Sequence, residues 1–448
     1  MLNRSNLHPY QMHFIDLAKN LPGIGLLLPP GLGKTTTTLT IIAEQFKGKT
    51  LIVAPKKVAE SVWMQEAQKW EHLKHLRFSL ILGKESDRLA NFKADADVYI
   101  VNNENLAWMC EFTLLKFTNL VVDESSKFKD PSTKRFKALK RWLPHFQRRV
   151  ILTGTPTPQG LGDLWSQVAI LDLGQRLGKS LTTFRTKYMM PVERNRHTGV
   201  VYKWGVQPGK DQAIQDAVKD ICFSLRAEDY LTLPLLTSLI HTVQIDSVTK
   251  SRYKKFAKTM VIEIVGEETI SAATAASISN KLRQFTSGFL YTEDGEAVRQ
   301  HEAKLDMLDD ILDENTPSLI FYHYRESLEA LQRRFPNAVL LGQGADDIAR
   351  WNAGKIMQLL AHPMSGGIGL NLQCNAADTA QVFWYDLTWS SQDYIQANAR
   401  VYRQGQNKPV ILHHLVVENS IDQQILEVAN GKIEIQQAVM NALNCALL

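Results

Sequence analysis

What most restricts the fold of this chain is a series of short apolar runs set between amphipathic or polar stretches: Gly25–Leu28, Thr50–Ala54, Val98–Val101, Leu120–Val122, Val150–Leu152, Leu319–Phe321, Val339–Leu341, Ile356–Ala361, Val382–Trp384 and Val410–Val417. Runs this short and this largely apolar read as strands buried on both faces, which is the pattern of parallel sheets covered by helices. They fall into one group before residue 155 and another after residue 318. The reading is an α/β fold of two parallel-sheet lobes in tandem. Between the groups, helical patterns at Leu161–Leu173, Asp211–Ser224 and Val248–Ser287 predict helical additions, with one insertion at about 248–290. At 448 residues the chain exceeds one typical core. The junction is expected near Leu233-Pro234, where an extended run, Ser238–Ile245, begins. This divides the chain into 1–235 and 236–448.

Composition excludes several classes. Hydrophobic residues make up 44% and charged residues 22%, and no run of eighteen apolar residues is present to span a bilayer. Residues Met1–Asn6 carry no secretory pattern, so a cytoplasmic protein is expected. Cys110, Cys222, Cys374 and Cys445 stand at least 71 residues apart, which excludes CxxC zinc and redox pairs. His362, His413 and His414 lack ligand spacing and read as structural. A net charge of +5 permits a basic groove without requiring one, so local clusters must decide.

Three strand ends carry the chemistry. After Gly25–Leu28 comes Pro29-Pro30-Gly31-Leu32-Gly33-Lys34-Thr35 and then the helix-like Thr36–Phe46. A strand, a glycine-rich turn and a helix in that order suit phosphate: Gly31 and Gly33 let backbone amides converge, Lys34 reaches the β and γ phosphates, and Thr35 offers a hydroxyl to Mg2+. The full GxxxxGKT spacing would put glycine at 28, where this chain has Leu28. The run Leu120–Val122 ends in Asp123-Glu124, a pair suited to hold the metal and to orient and deprotonate a water respectively, or else an ordinary solvated pair opening a helix. Val150–Leu152 runs into Thr153-Gly154-Thr155-Pro156. Ligands bind at the carboxyl ends of strands in such sheets.

Together these motifs resemble the helicase-like ATPases of superfamily two and, within them, the Swi/Snf type, in the compact form of phage and bacterial members. The resemblance spans nearly the whole chain. Leu7-His8-Pro9-Tyr10-Gln11 is similar to the adenine-recognising element, Leu51–Lys56 to motif Ia, and Asp123-Glu124-Ser125-Ser126 stands where the family reads DEAH. Leu152–Pro156 resembles motif III, Phe223–Arg226 the segment before the second lobe, Leu319–Tyr324 motif IV, Gly366–Leu372 motif V and Gln396–Gln406 motif VI.

The resemblance implies two RecA-like lobes, ATP and Mg2+ as cofactors, and DNA-dependent ATP hydrolysis driving movement on double-stranded DNA as a monomer. Strand separation and ATP-gated clamping are the alternatives. It assigns Gln11 and Gly369 to nucleotide binding, Thr153 and Thr155 to coupling, and Gln396, Arg400 and Arg403 to catalysis. Two arginines three apart would share one helical face and meet the γ phosphate when the lobes close. DNA contacts are implied at Lys56, Lys57, Asn102 with Asn103, His323, Asn371 and Trp389.

This chain departs from the family at four places. Leu28-Pro29-Pro30 replaces an acidic lead-in, and Ala399 replaces a glycine. Asp386-Leu387-Thr388-Trp389-Ser390-Ser391 keeps only the Asp and Trp of DxxWNP. Ser125-Ser126 replaces Ala-His, so coupling is expected to pass to Ser126 or Gln396.

Overall fold

The computed structural model describes residues 1–430 apart from 113–115, 159, 195–197, 226–229, 231–232, 266–271, 345 and 365–369. The chain separates into two compact units, one from Met1 to Leu231 and one taking up the chain from Thr232.

In the first unit the strands are β1 (Gly23–Leu26), β2 (Lys49–Ala54), β3 (Phe78–Ile81), β4 (Val98–Asn102), β5 (Phe117–Asp123), β6 (Arg148–Leu152), β7 (Met189–Arg194), β8 (Val201–Val206) and β9 (Cys222–Phe223). Seven of them form a parallel sheet in the order β3-β4-β2-β5-β6-β1-β9. Its central strands are buried on both faces, as their unbroken apolar sequences require: Leu51, Ile52, Val53, Leu120, Val121 and Val122 have no exposed surface. The helix Leu164–Asp172 lies directly on β1, and a Cβ at Gly23 would stand 2.6 Å from the Leu171 carbonyl oxygen. Only glycine admits that approach. Neighbouring strands end level with one another, Leu26 opposite Leu152 and Leu152 opposite Asp123.

The second unit adds β10 (Leu236–Val243), β11 (Phe289–Tyr291), β12 (Ala297–Arg299), β13 (Ser318–Phe321), β14 (Val339–Leu340), β15 (Gln358–Ala361), β16 (Ala380–Trp384) and β17 (Val410–Val417). Six of these make a second parallel sheet, β10-β17-β16-β13-β15-β14. Alternate residues supply two cores: Leu319, Phe321, Leu359, Val382 and Trp384 on one face, Ile320, Leu360, Phe383 and Leu415 on the other. The α/β architecture of two parallel sheets in tandem is therefore as read from the apolar runs.

The intervening region departs from the helical reading. Helices do occupy Leu164–Asp172, Asp211–Val218, Ser247–Val265 and Ala272–Thr286. Two antiparallel ribbons also form, β7 with β8 and β11 with β12. Their strands are too short and too mixed in polarity to announce themselves by periodicity, and each is defined by its partner. The pattern Asp211–Ser224 breaks after Val218, because Cys222 and Phe223 pair with Gly25 and Leu26 as an edge strand. Among the described residues no helix is long and apolar enough to cross a membrane.

Candidate functional site

The phosphate-type loop bridges β1 and the helix Lys34–Gln45. Gly31 and Gly33 have φ of 90° and 64°, left-handed values that let the loop turn back over the helix start. A Cβ at Gly33 would lie 2.3 Å from Gln11 Nε2, so the side chain predicted to read adenine abuts this loop. Gln11 is buried near the start of the helix Pro9–Ala18, its Oε1 accepting from the His8 amide at 2.8 Å. Lys34 Nζ donates to the Leu28 and Pro29 carbonyls at 2.7 and 3.2 Å. Thr35 follows at the helix start and is half-buried.

Asp123 and Glu124 are both buried at the end of β5. Glu124 has φ 51° and ψ 55°, a left-handed conformation that costs a non-glycine residue about 1–2 kcal/mol. Such strain clusters at functional sites. Burial pushes the Asp123 carboxyl up to about 6, against the opposing pull of Lys34, the Glu124 amide and the Trp63 indole. Burial, then the neighbouring Asp123, pushes Glu124 up to about 7. Two desolvated carboxyls beside one lysine form an oxygen-rich, cation-seeking pair, which suits magnesium. Among the described residues no cluster of three or more His, Cys, Asp or Glu could hold a metal unaided.

Three residues of this site went unnoticed in the sequence. Trp63, fully buried, donates its indole N–H to Asp123 Oδ2 at 3.2 Å, while the Glu124 amide holds Oδ1 at 2.9 Å. Glu66 accepts from Thr36 of the phosphate-loop helix at 2.6 Å. Both come from the segment after motif Ia, where exposed Lys56 and Lys57 lead into the π-helical turn Val58–Val62. Gln167, with no exposed surface, accepts from Ser125 Oγ at 2.8 Å and donates to the Pro156 and Asp163 carbonyls at 2.6 and 2.8 Å. The Ser125 hydroxyl thus reaches the motif III turn through Gln167, a route the Ser126-or-Gln396 expectation did not include. The only signal in the sequence was a glutamine within a mostly apolar helix that also carries Ser166 and Asp172. In that turn Thr153 Oγ1 accepts from the Thr155 amide at 3.1 Å, and Thr155 Oγ1 is buried with no partner among the described residues.

In the second unit, Gln396 sits half-buried on the helix Ser391–Asn398. Arg400 and Arg403 lie beyond the end of that helix, so they do not share a helical face. The reason is where the backbone goes. The carbonyl of Arg400 accepts from the Leu372 amide, and those of Arg403 and Gln404 accept from Gln373 Nε2, so the motif V loop takes the groups a continuing helix would have used. Arg400 is buried, donates to the Pro363 carbonyl at 2.6 Å, and is held down to about 10 by that burial. Arg403 Nη1 donates to the Leu370 carbonyl at 3.4 Å. Gly369 falls outside the described residues.

The residues expected to touch nucleic acid are scattered in character. Asn102 and Asn103 are buried, and Asn102 Nδ2 donates to Glu104 at 2.7 Å. Their Oδ1 atoms have no partner among the described residues. His323 follows β13, its amide held at 2.8 Å by the fully buried Asp386, and burial lowers its imidazole to about 4. Asn371 is exposed. Trp389 packs half-buried against the core, with its indole nitrogen unpaired among the described residues.

A phosphate-type loop, an acidic pair and a TGTP turn at level ends of three neighbouring parallel strands, in a chain with a second parallel-sheet unit, define the class as a helicase-like ATPase. A family model described as the SNF2-related domain matches residues 14–287. Putative protein p41 of Acyrthosiphon pisum secondary endosymbiont phage 1 is 31% identical, over 97% of this chain and 98% of that protein. The ISWI chromatin-remodeling complex ATPase ISW1 of Saccharomyces cerevisiae is 26% identical over 97% of this chain and 40% of its own length. The putative ATP-dependent helicase/translocase YwqA of Bacillus subtilis is 24% identical over 98% of this chain and 49% of itself. The chain therefore spans nearly all of the phage relative and less than half of the other two. It belongs to the SNF2-related family of helicase-like ATPases.

Proposed function

We propose that this protein is an ATP-driven translocase on double-stranded DNA, whose hydrolytic chemistry is carried by Lys34, Thr35, Asp123 and Glu124. The observation that carries the reading is the placement of the phosphate-type loop and the buried acidic pair at level ends of adjacent strands, Leu26 and Asp123 each opposite or beside Leu152. Gln11, against the loop, is assigned to the adenine. Lys34 exchanges the Leu28 and Pro29 carbonyls for phosphate oxygens, which offer a charged acceptor in place of neutral ones. Asp123 and the Thr35 hydroxyl would hold magnesium, which when bound supplies charge neutralisation at the phosphates. Glu124 orients the attacking water and takes its proton, a task its raised pKa near 7 suits.

Arg400 and Arg403 of the second unit are assigned the offsetting of transition-state charge, and Gln396 with Thr153 and Thr155 the coupling of hydrolysis to movement. Lys56 and Lys57 are assigned to DNA phosphate, which makes binding sequence-tolerant and salt-sensitive.

The test combines DNA-stimulated ATP hydrolysis with triplex displacement and duplex unwinding. Stimulation by duplex DNA, triplex displacement without unwinding, and loss of turnover in Lys34→Ala, Glu124→Gln and Arg403→Ala are expected. Robust unwinding without triplex displacement makes the protein a strand-separating helicase. Nucleotide binding without DNA-stimulated turnover makes it a clamp.

A further inference from the structure

Residues 173–210 contain eight lysines and arginines and a single glutamate, a net +7, whereas the whole chain carries +5. The other 410 residues are therefore net −2. Residues 127–149 are also strongly basic, at net +8, and the stretch 173–210 is the one that contains the ribbon β7–β8.

The ribbon is anchored at one end and exposed at the other. At its base Tyr188 and Met189 are buried, and the Gln207 amide and Nε2 donate to the Tyr188 and Met189 carbonyls at 2.9 and 2.8 Å. The Arg185 guanidinium lies 4.8 Å from the Trp204 ring centre. Further out, exposure rises to 52% at Val192, 53% at Val200 and 68% at Tyr202, while Lys187 and Arg194 are exposed as well. A two-stranded ribbon is marginal in water. One that presents β-branched and aromatic residues to solvent, amid concentrated positive charge, has the character of a contact surface for a polyanion with apolar faces.

We propose that the β7–β8 ribbon is a DNA-binding element, with Lys187 and Arg194 on backbone phosphates and Tyr202 against a sugar or base face. This rests on the translocase reading and extends it to a surface outside the motifs. The base of the ribbon also bears on the hydrolytic site. A Cβ at Gly162 would lie 3.2 Å from Met189 Cε, so Met189 packs on the turn Leu161–Asp163. The Asp163 carbonyl of that turn is held by Gln167, the residue that joins Ser125 to Pro156. A ribbon gripped by DNA pulls on a turn bonded to the acidic strand end.

The test is binding of a fluorescently labelled duplex to the full chain across a potassium chloride series, with DNA-stimulated ATPase measured alongside. Lys187→Gln/Arg194→Gln is expected to reduce the slope of log K against log salt by up to about two, with affinity several-fold lower. Tyr202→Ala is expected to weaken binding several-fold at an unchanged slope. Binding of a fluorescent ATP analogue without DNA stays at the wild-type level in both, which reports an intact first unit. Wild-type slope and affinity in both variants, with the wild-type protein binding DNA, overturn the ribbon proposal and leave a protein-facing role. A wild-type protein that neither binds duplex nor is stimulated by it overturns the translocase reading itself.

Discussion

Replacing Trp63 with phenylalanine tests whether the segment after motif Ia governs the acidic pair. Trp63 has no exposed surface, and its indole N–H holds Asp123 Oδ2 at 3.2 Å. The other carboxylate oxygen keeps the Glu124 amide at 2.9 Å. Phenylalanine retains an aromatic ring and deletes the donor, so the carboxylate loses one of two groups that orient it. A hydrogen bond to a charged acceptor is worth about 1.5–3 kcal/mol, and the long distance argues for the lower end, about 1.5 kcal/mol or roughly tenfold. The smaller ring adds a packing cost of about 1–2 kcal/mol to stability, which a melting curve reads separately. The assay is a magnesium titration of ATP-analogue binding without DNA. Trp63→Phe should require about tenfold more magnesium. In an Asp123→Asn background the same substitution should add almost nothing, because its effect passes through that carboxylate. An undiminished tenfold loss in that background, or no loss with Asp123 present, refutes the reasoning.

Lys304 and Asp422 form a buried ion pair at 2.7 Å with 1% and 0% of their side chains exposed. Asp422 also accepts from Thr286 and the Val417 amide. Lys304→Met should destabilise the second unit by about 3–5 kcal/mol in urea unfolding, and a loss under 1 kcal/mol would contradict a charge left uncompensated. Burial depresses His301, His323, His413 and His414 to about 4. Their folded values lie below the unfolded value near 6.5, so the stability they carry is whole above that pH and is lost as pH falls through 4. Each contributes at most about 3 kcal/mol, and unfolding curves that do not change between pH 7 and 4.5 would be inconsistent with it. Gln167→Leu leaves the Ser125 hydroxyl and the Pro156 and Asp163 carbonyls without this partner. ATP-analogue binding should survive while DNA stimulation of hydrolysis falls about tenfold or more, and full stimulation would remove Gln167 from the coupling route.

The sequence by itself pointed to the strands at the centre of each sheet, since runs such as Leu51–Ala54 or Leu319–Phe321 are too short for a helix, rich in β-branched and aromatic residues and bounded by polar stretches, and they are buried on both sides. It also pointed to the residues of the proposed hydrolytic site, because phosphate and metal chemistry demands glycine, lysine, hydroxyl and carboxylate at set offsets from strand ends. Local pattern said nothing of pairings across long stretches of chain. Trp63 lies 60 residues from Asp123, and Ser125 lies 42 from Gln167. Packing decides such contacts, and no short window contains both partners. For the same reason the arginines of motif VI leave the helix their spacing suggested, since the carbonyls of 400, 403 and 404 are claimed by residues 372 and 373. Likewise β7 and β8 exist as strands only through each other. Chemistry that needs particular atoms near one backbone turn is legible along the chain, and whatever depends on which distant groups satisfy each other's hydrogen bonds is decided by the tertiary fold.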